Sequence, residues 1–292
     1  MATKDSLGDR MKSYYEDRFR LQLPRRTNIL IRIDGKAFHT YTKGLNRPYD
    51  EDLMDDMNET TKFLCENIQG AKMGYVQSDE ISILITDYDE VDTQGWFDYN
   101  LQKMCSISAS LATAKFNQLR QNRRDEYYKN MSIDLMGIID KRYDPEFSSK
   151  PKLAMFDARV FIIPFHEEVV NYFVWRQQDA TRNSISMAAQ SMFSHKELHK
   201  KSTDEMQELM FTMKDVNWND YPTRFKRGSA VIKEEKVFMK KRPDFIDDGK
   251  THLIEKENLV RRKKWNAVET PIFTKDRDFI LSTFYSQKEN VK

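Results

Sequence analysis

Cysteine and glycine are both scarce in this chain. Only Cys65 and Cys105 occur in 292 residues, and neither belongs to a C-x-x-C pair, which excludes a disulfide framework and a structural zinc site. With nine glycines there is no G-x-x-x-x-G-K-[ST] loop and no G-x-G-x-x-G turn. Ordinary P-loop and Rossmann nucleotide binding are thereby excluded. No apolar run approaches the roughly 20 residues that cross a bilayer. The start, Met1-Ala-Thr-Lys-Asp-Ser6, lacks the apolar core of a signal peptide, so the expected address is the cytoplasm, with no membrane partner. An excess of one charge is also missing: 48 Lys and Arg face 46 Asp and Glu, a net charge of +2. Bulk charge therefore gives no pointer to nucleic acid. His195-Lys-Glu-Leu-His199 is not H-E-x-x-H, and it reads as a surface helix rather than a metalloprotease site.

What is present suits a folded globular protein. Hydrophobic residues make up 39% and aromatics 12%, enough for a real core. Basic residues are grouped locally in Arg224-Phe-Lys-Arg227, Lys240-Lys-Arg242 and Arg261-Arg-Lys-Lys264. Such groups serve as phosphate contacts only if another signal demands a nucleic acid.

Apolar periodicity orders the elements. Leu7, Met11, Tyr14, Tyr15 and Phe19 predict an amphipathic helix ended by Pro24. A strand over 28–34 follows, then a helix from an Asp50 N-cap to about 68, with Leu53, Met57, Phe63 and Leu64 as core positions. Two strands flank Ser78-Asp79, a helix runs from about 94 to 119, and a strand covers 156–164. Residues 121–155 read as an insertion. This β-α-β-β-α-β order is the split arrangement of ferredoxin-like domains, an α+β fold. Helices are predicted at about 166–179, 182–194 and 203–214. The expected organisation is a palm-like domain with its N-terminal helix over 1–165, and a mostly helical, basic region over 166–292 packed on it.

Two acidic strand ends carry the chemistry. Asn28-Ile-Leu-Ile-Arg-Ile33 stops at Asp34-Gly35, and Met73 to Gln77 leads into Ser78-Asp79-Glu80. In the predicted topology Asp34 and Asp79 meet at one rim of the sheet. Two carboxylates and a nearby carbonyl can hold divalent cations over a phosphate. Lys36, with the backbone amides of Ala37, Phe38 and His39, can bind phosphate oxygens, and Lys103 on the following helix is placed to reach the same point.

At these residues the chain resembles the tRNA-His guanylyltransferase family, and specifically its relatives that add nucleotides in the 3′–5′ direction. The matching motifs are Arg32-Ile-Asp-Gly-Lys-Ala-Phe-His39, Arg47-Pro48, Gly74-Tyr-Val-Gln-Ser-Asp-Glu80, Phe156-Asp-Ala-Arg-Val-Phe-Ile-Ile-Pro164, Tyr172-Phe-Val-Trp-Arg-Gln-Gln-Asp179 and Arg224-Phe-Lys-Arg-Gly228. The resemblance implies a polymerase-like palm in which Asp34, the Gly35 carbonyl and Asp79 bind two Mg2+ ions. It implies catalytic roles for Asp34, Asp79 and Glu80, and a triphosphate site formed by Asp34 to His39, Arg47, Ser78, Asp79 and Lys103. GTP and ATP are then substrates, tRNA is the partner, and a homotetramer is expected. Arg176, Asn183, Lys226 and Arg227 are the implied RNA contacts.

One departure bears on the reaction. Eukaryotic members carry a His-Ile-Asn-Asn-Leu-Tyr run after the Trp-Arg-Gln block, where this chain has Thr181-Arg-Asn-Ser-Ile-Ser186. That favours template-directed repair of tRNA 5′ ends over strict tRNA-His guanylylation. Two rivals share parts of the pattern. A nucleotide cyclase uses the same two carboxylates without RNA, whereas an RNA-binding module needs exposed sheet aromatics, and the central strands supply mainly Ile, Leu and Val.

Overall fold

A computed structural model of the chain describes residues 6–130, 152–246 and 252–284. Within these, the side chains of 128, 130, 236, 238, 240–246 and 252–260 lie outside the description, as does the part of the expected insertion at 131–151. The basic group Lys240 to Arg242 thus falls outside the described side chains.

The elements are α1 (Ser6–Met11), β1 (Asn28–Gly35), α2 (Phe38–Tyr41), α3 (Glu51–Asn67), β2 (Ala71–Gln77), β3 (Glu80–Ile85), α4 (Leu101–Asn130), β4 (Phe156–Ile163), α5 (His166–Gln190), α6 (His195–Leu198), α7 (Thr203–Lys214), α8 (Thr223–Arg227), β5 (Ser229–Ile246), β6 (His252–Glu269) and α9 (Asp278–Leu281). One sheet runs through them in the order β4-β1-β3-β2-β5-β6, and β1 lies antiparallel to both β3 and β4. The first four strands have the ferredoxin-like order expected from the β-α-β-β-α-β pattern.

Strands 1 and 3 are covered on both faces, which is why their sequences read as unbroken apolar runs. Ile29, Ile31, Ile33, Ile81, Ile83 and Ile85 face α3 and α4, where Met57, Leu64, Met104 and Phe116 complete the core. The alternate residues Leu30, Leu84, Met73 and Tyr75 face α5 through Val169, Tyr172 and Phe173, with Phe273, Ile280 and Phe284 beside them. Full burial of a side chain such as Phe173 stabilises the fold by about 1.5–3 kcal/mol. Asp50 caps α3 as expected, accepting the Leu53 N–H at 3.0 Å.

Four local expectations differ from the fold. The first apolar helix is short: α1 gives way to a π turn at Lys12–Glu16 and a 3-10 turn at Asp17–Phe19, and Leu7, Met11, Tyr14, Tyr15 and Phe19 all face solvent. The helix expected from 94 begins at Leu101, after a 3-10 turn at Trp96–Tyr99, and continues to Asn130. The two helices expected at 166–179 and 182–194 are one, since α5 runs unbroken over 25 residues. The C-terminal region is mainly helical as far as Arg227, then forms two 18-residue strands and ends, within the described residues, on the short α9. Strand β5 joins β2 through Gly74 to Val76, so this region shares the palm's sheet. Charged residues dominate β5 and β6, which hides the period-2 apolar alternation that announces a strand.

Candidate active site at the rim of the sheet

The site forms where β1 ends beside the β2–β3 turn. Ser78 and Asp79 make that turn, with Ser78 in the left-handed region at φ 49°. Asp34 stands opposite Glu80 in the β1–β3 register. The Gly35 N–H donates to the Asp79 carbonyl at 3.1 Å, tying the two strand ends together. Gly35 is required by packing: a Cβ there would lie 2.3 Å from Cδ2 of Phe38. The chain can turn from β1 into α2 only with that ring against the backbone. Ala37 then takes φ 54° as α2 begins.

Electrostatics at the rim are those of crowded carboxylates. Burial pushes the Asp79 carboxyl above its ordinary value, with its own N–H and the Ser78 hydroxyl opposing and the Asp34 charge adding to the rise. The Ser78 hydroxyl donates to Asp79 Oδ1 at 3.1 Å. Burial also raises Glu80, against Arg176 and Arg32, which favour its charged form. Among the described residues Asp34 and Asp79 enter no ion pair, while Glu80 has Arg32 and Arg176.

A cleft of about 390 Å3 opens on this rim. It is lined by Phe38, His39, Arg47, Ser78 and Asp79 from the palm, and by Asn183, Ser184 and Met187 from α5. Arg224 and Phe225 of α8 close one side, where Arg224 pairs with Glu51 and Asp55 of α3. Of the expected nucleotide contacts, Phe38, His39, Arg47, Ser78 and Asp79 thus line one cavity, while Asp34, Gly35, Lys36 and Ala37, just before Phe38 in the chain, are not among its lining residues. Phe38 is mostly a core ring, 5% exposed and packed on Phe116 and Phe156.

Three expected contacts are placed elsewhere. Lys103 lies in the first turn of α4, at the far end of the sheet, where Leu101 bonds to Leu21 ahead of β1. Its ammonium sits over the Phe97 ring. Helix α4 reaches the site end only at Thr113, about 15 Å further on at 1.5 Å per residue. Arg176 and Lys226, expected to touch RNA, are 5% and 8% exposed. Arg176 donates to Glu80 Oε2 at 2.7 Å, and Lys226 donates to the Asn219 carbonyl. Buried charges answered within their own chain offer no surface to a phosphate backbone. Arg227 is half-buried with its guanidinium over Trp218, and Asn183 is exposed on the cleft wall.

Sequence reading missed the Arg32–Glu80–Arg176 group and the part played by Arg224 and Phe225. The signal for Arg32 was available, since it precedes Asp34 by two residues and so shares its face of β1. Nothing local to Trp175-Arg176-Gln177 announces that α5 passes beneath Glu80.

The oxygen donors suit a hard cation. Among the described residues no group of three or more His, Cys, Asp or Glu side chains gathers to hold a metal. Magnesium needs fewer, because water and substrate phosphates complete its shell. Two mutually repelling carboxylates and a backbone carbonyl at an open rim fit that chemistry.

Comparison with known proteins identifies the family of the chain. The family model described as Thg1, tRNAHis guanylyltransferase, matches residues 8–164. A bacterial Thg1-like protein solved in complex with ATP is 43% identical, with a TM-score of 0.74 over 96% of this chain and 99% of that one. A second such structure, in complex with GTP, is 42% identical, with a TM-score of 0.70 over 97% and 100% of the two chains. The tRNA(His) guanylyltransferase of Schizosaccharomyces pombe is 28% identical over 82% of this chain and 81% of its own. The chain belongs to the tRNA-His guanylyltransferase (Thg1) family and is a nucleotidyltransferase of tRNA processing.

Proposed function

We propose that this enzyme adds nucleotides to the 5′ end of tRNA in the 3′–5′ direction, choosing each by base pairing with the opposite strand. A 5′-monophosphate oxygen of the tRNA first bonds to the α-phosphorus of ATP or GTP as pyrophosphate departs, leaving a nucleoside monophosphate as the activating group. The 3′-hydroxyl oxygen of the incoming nucleotide then bonds to the 5′ phosphorus as the activating group departs. The observation that carries this reading is a cleft of about 390 Å3 lined by Ser78 and Asp79, one residue along from the Asp34–Glu80 pair, with Asn183 of the Thr181–Ser186 run on its wall. Sequence identity of 42–43% to bacterial Thg1-like proteins solved in complex with GTP and ATP supports it.

Asp34, Asp79 and the Gly35 carbonyl would hold two Mg2+ ions, which when bound neutralise phosphate charge and polarise the attacking hydroxyl. The chain's own part is positioning. The Gly35-to-Asp79 backbone bond and the Ser78 hydroxyl hold the Asp79 carboxylate against the repulsion of Asp34. Arg47 and His39 on the cleft wall, with Lys36 just before them in the chain, supply positive charge and donors for a triphosphate. The same reading has the enzyme working as a cytoplasmic homotetramer, in which copies cover the exposed apolar residues between Leu7 and Leu21.

The test is incorporation of labelled nucleotides into a 5′-monophosphorylated tRNA lacking its first residue, with ATP and Mg2+. Addition of whichever nucleotide matches the template is expected. A single untemplated G on tRNA-His alone would replace repair with strict guanylylation. Mg2+-dependent loss of triphosphate without RNA would replace both with cyclase chemistry.

A further inference from the structure

Glu80 is the third carboxylate at the rim, yet its surroundings differ from those of Asp34 and Asp79. Its Oε2 accepts from Arg176 Nη1 at 2.7 Å and lies 4.0 Å from Arg32 Nε. Arg176 is fixed in turn by Asp179 at 3.1 Å and by the Trp175 ring, whose centre is 3.7 Å from the guanidinium carbon. The arginine fork is thus set before any substrate arrives.

The group is not built for stability. Arg32 Nε, Arg176 Nε and Glu80 Oε1 are buried and have no hydrogen-bond partner among the described residues. A buried ion pair with unmet hydrogen-bonding capacity is commonly no better for stability than apolar side chains of the same size. Its position is more telling. Glu80 stands opposite Asp34 across strands about 5 Å apart, and it follows Asp79 in the chain. Arg176 sits on α5 one turn before Ala180, where the helix becomes the cleft wall that Asn183 continues.

We propose that Arg176 and Glu80 form a buried lock that joins the cleft wall to the carboxylate rim and sets the placement of Asp34 and Asp79. Glu80 is then a positioning residue and not a cation ligand. Its charge is taken up by the arginines, which leaves Asp34 and Asp79 as the carboxylates that meet the cation. The lock rests on the two-cation reading given above.

Binding of Mn2+ alone to the full chain, followed by paramagnetic resonance of the free ion, tests the lock without turnover. Glu80→Gln removes the carboxylate that offsets Arg32 and Arg176 beside the rim, and Mn2+ affinity is expected to fall about tenfold. Removing both charges in Glu80→Gln with Arg176→Gln should restore affinity to within about threefold of the parent. Turnover should nevertheless stay low in the double variant at saturating Mn2+, with KM for nucleotide little changed, because the rim is no longer held. Arg176→Lys, the variant safest for folding, keeps the charge but loses the fork; normal Mn2+ affinity with reduced kcat is expected. If the double variant binds as weakly as Glu80→Gln while Arg176→Lys keeps the parental kcat, Glu80 is a ligand and the lock is overturned. Parent protein that binds no Mn2+ would sink the two-cation reading and the lock with it.

Discussion

Asp34 and Asp79 are each partly exposed at a strand end, so changing them removes charge without opening the core. Asp34→Ala and Asp79→Ala should each lower nucleotide transfer by about 10^3-fold or more, the scale of several kcal/mol of charge stabilisation in the transition state. Circular dichroism and the unfolding midpoint should stay near those of the parent. Transfer at the parental rate in both variants would remove the carboxylates from the mechanism. Gly74 carries the opposite kind of constraint. A Cβ at that position would lie 2.7 Å from Thr61 Cγ2 and 2.8 Å from Cys65 Sγ, both on α3. Gly74→Ala is expected to cost about 1–3 kcal/mol by overpacking, read by denaturant unfolding, with little effect on the chemistry of molecules that remain folded.

Helix α7 shows how an element is fixed by its first turn. The Ser202 hydroxyl accepts the Glu205 N–H at 3.3 Å, while Glu205 accepts the Ser202 N–H at 2.7 Å, a reciprocal cap. These bonds, the backbone one foremost, hold the Glu205 carboxyl below its ordinary value. A depressed carboxylate stabilises the fold above its unfolded pKa, about 4.3. That stabilisation disappears as pH falls through the lower, folded value. Glu205→Gln should therefore lower the unfolding midpoint at neutral pH, with a smaller deficit near pH 3. An equal loss at both values would mean that the cap acts without charge. Helix α5 is an element of another kind, since its first half packs on the sheet through Val169 and Phe173 and its second half lines the cleft.

Across the whole molecule, Leu7, Met11, Tyr14, Tyr15, Phe19 and Leu21 are 41–76% exposed in the single chain. A run of this length on the surface suits burial between copies. Sedimentation velocity should show a species of four chains, and Tyr15→Glu with Phe19→Glu should shift it towards smaller assemblies. A parent that sediments as one chain over the working concentration range would remove the tetramer from the functional reading.

Periodicity and capping made the palm legible. The alternation of Ile29, Ile31 and Ile33 with Leu30, the Asp50 cap and the Ser78-Asp79 turn are local features, and each is present in the fold. The convergence of Asp34 with the β2–β3 turn followed from strand order alone, because the β-α-β-β-α-β topology leaves those strand ends little freedom. Residues that answer one another across long separations were not legible. Arg176 meets Glu80 across 96 positions, and its motif equally suits an exposed RNA contact. Lys103 follows the same rule in reverse: its charge is obvious in the sequence, but the direction of α4 carries it to the wrong end of the sheet. The sequence by itself determined the palm and the identity of its acidic strand ends, since both rest on short-range pattern and chain order. Only the tertiary structure decided which charges face the cleft and which neutralise each other inside, because burial and pairing belong to neighbours in space.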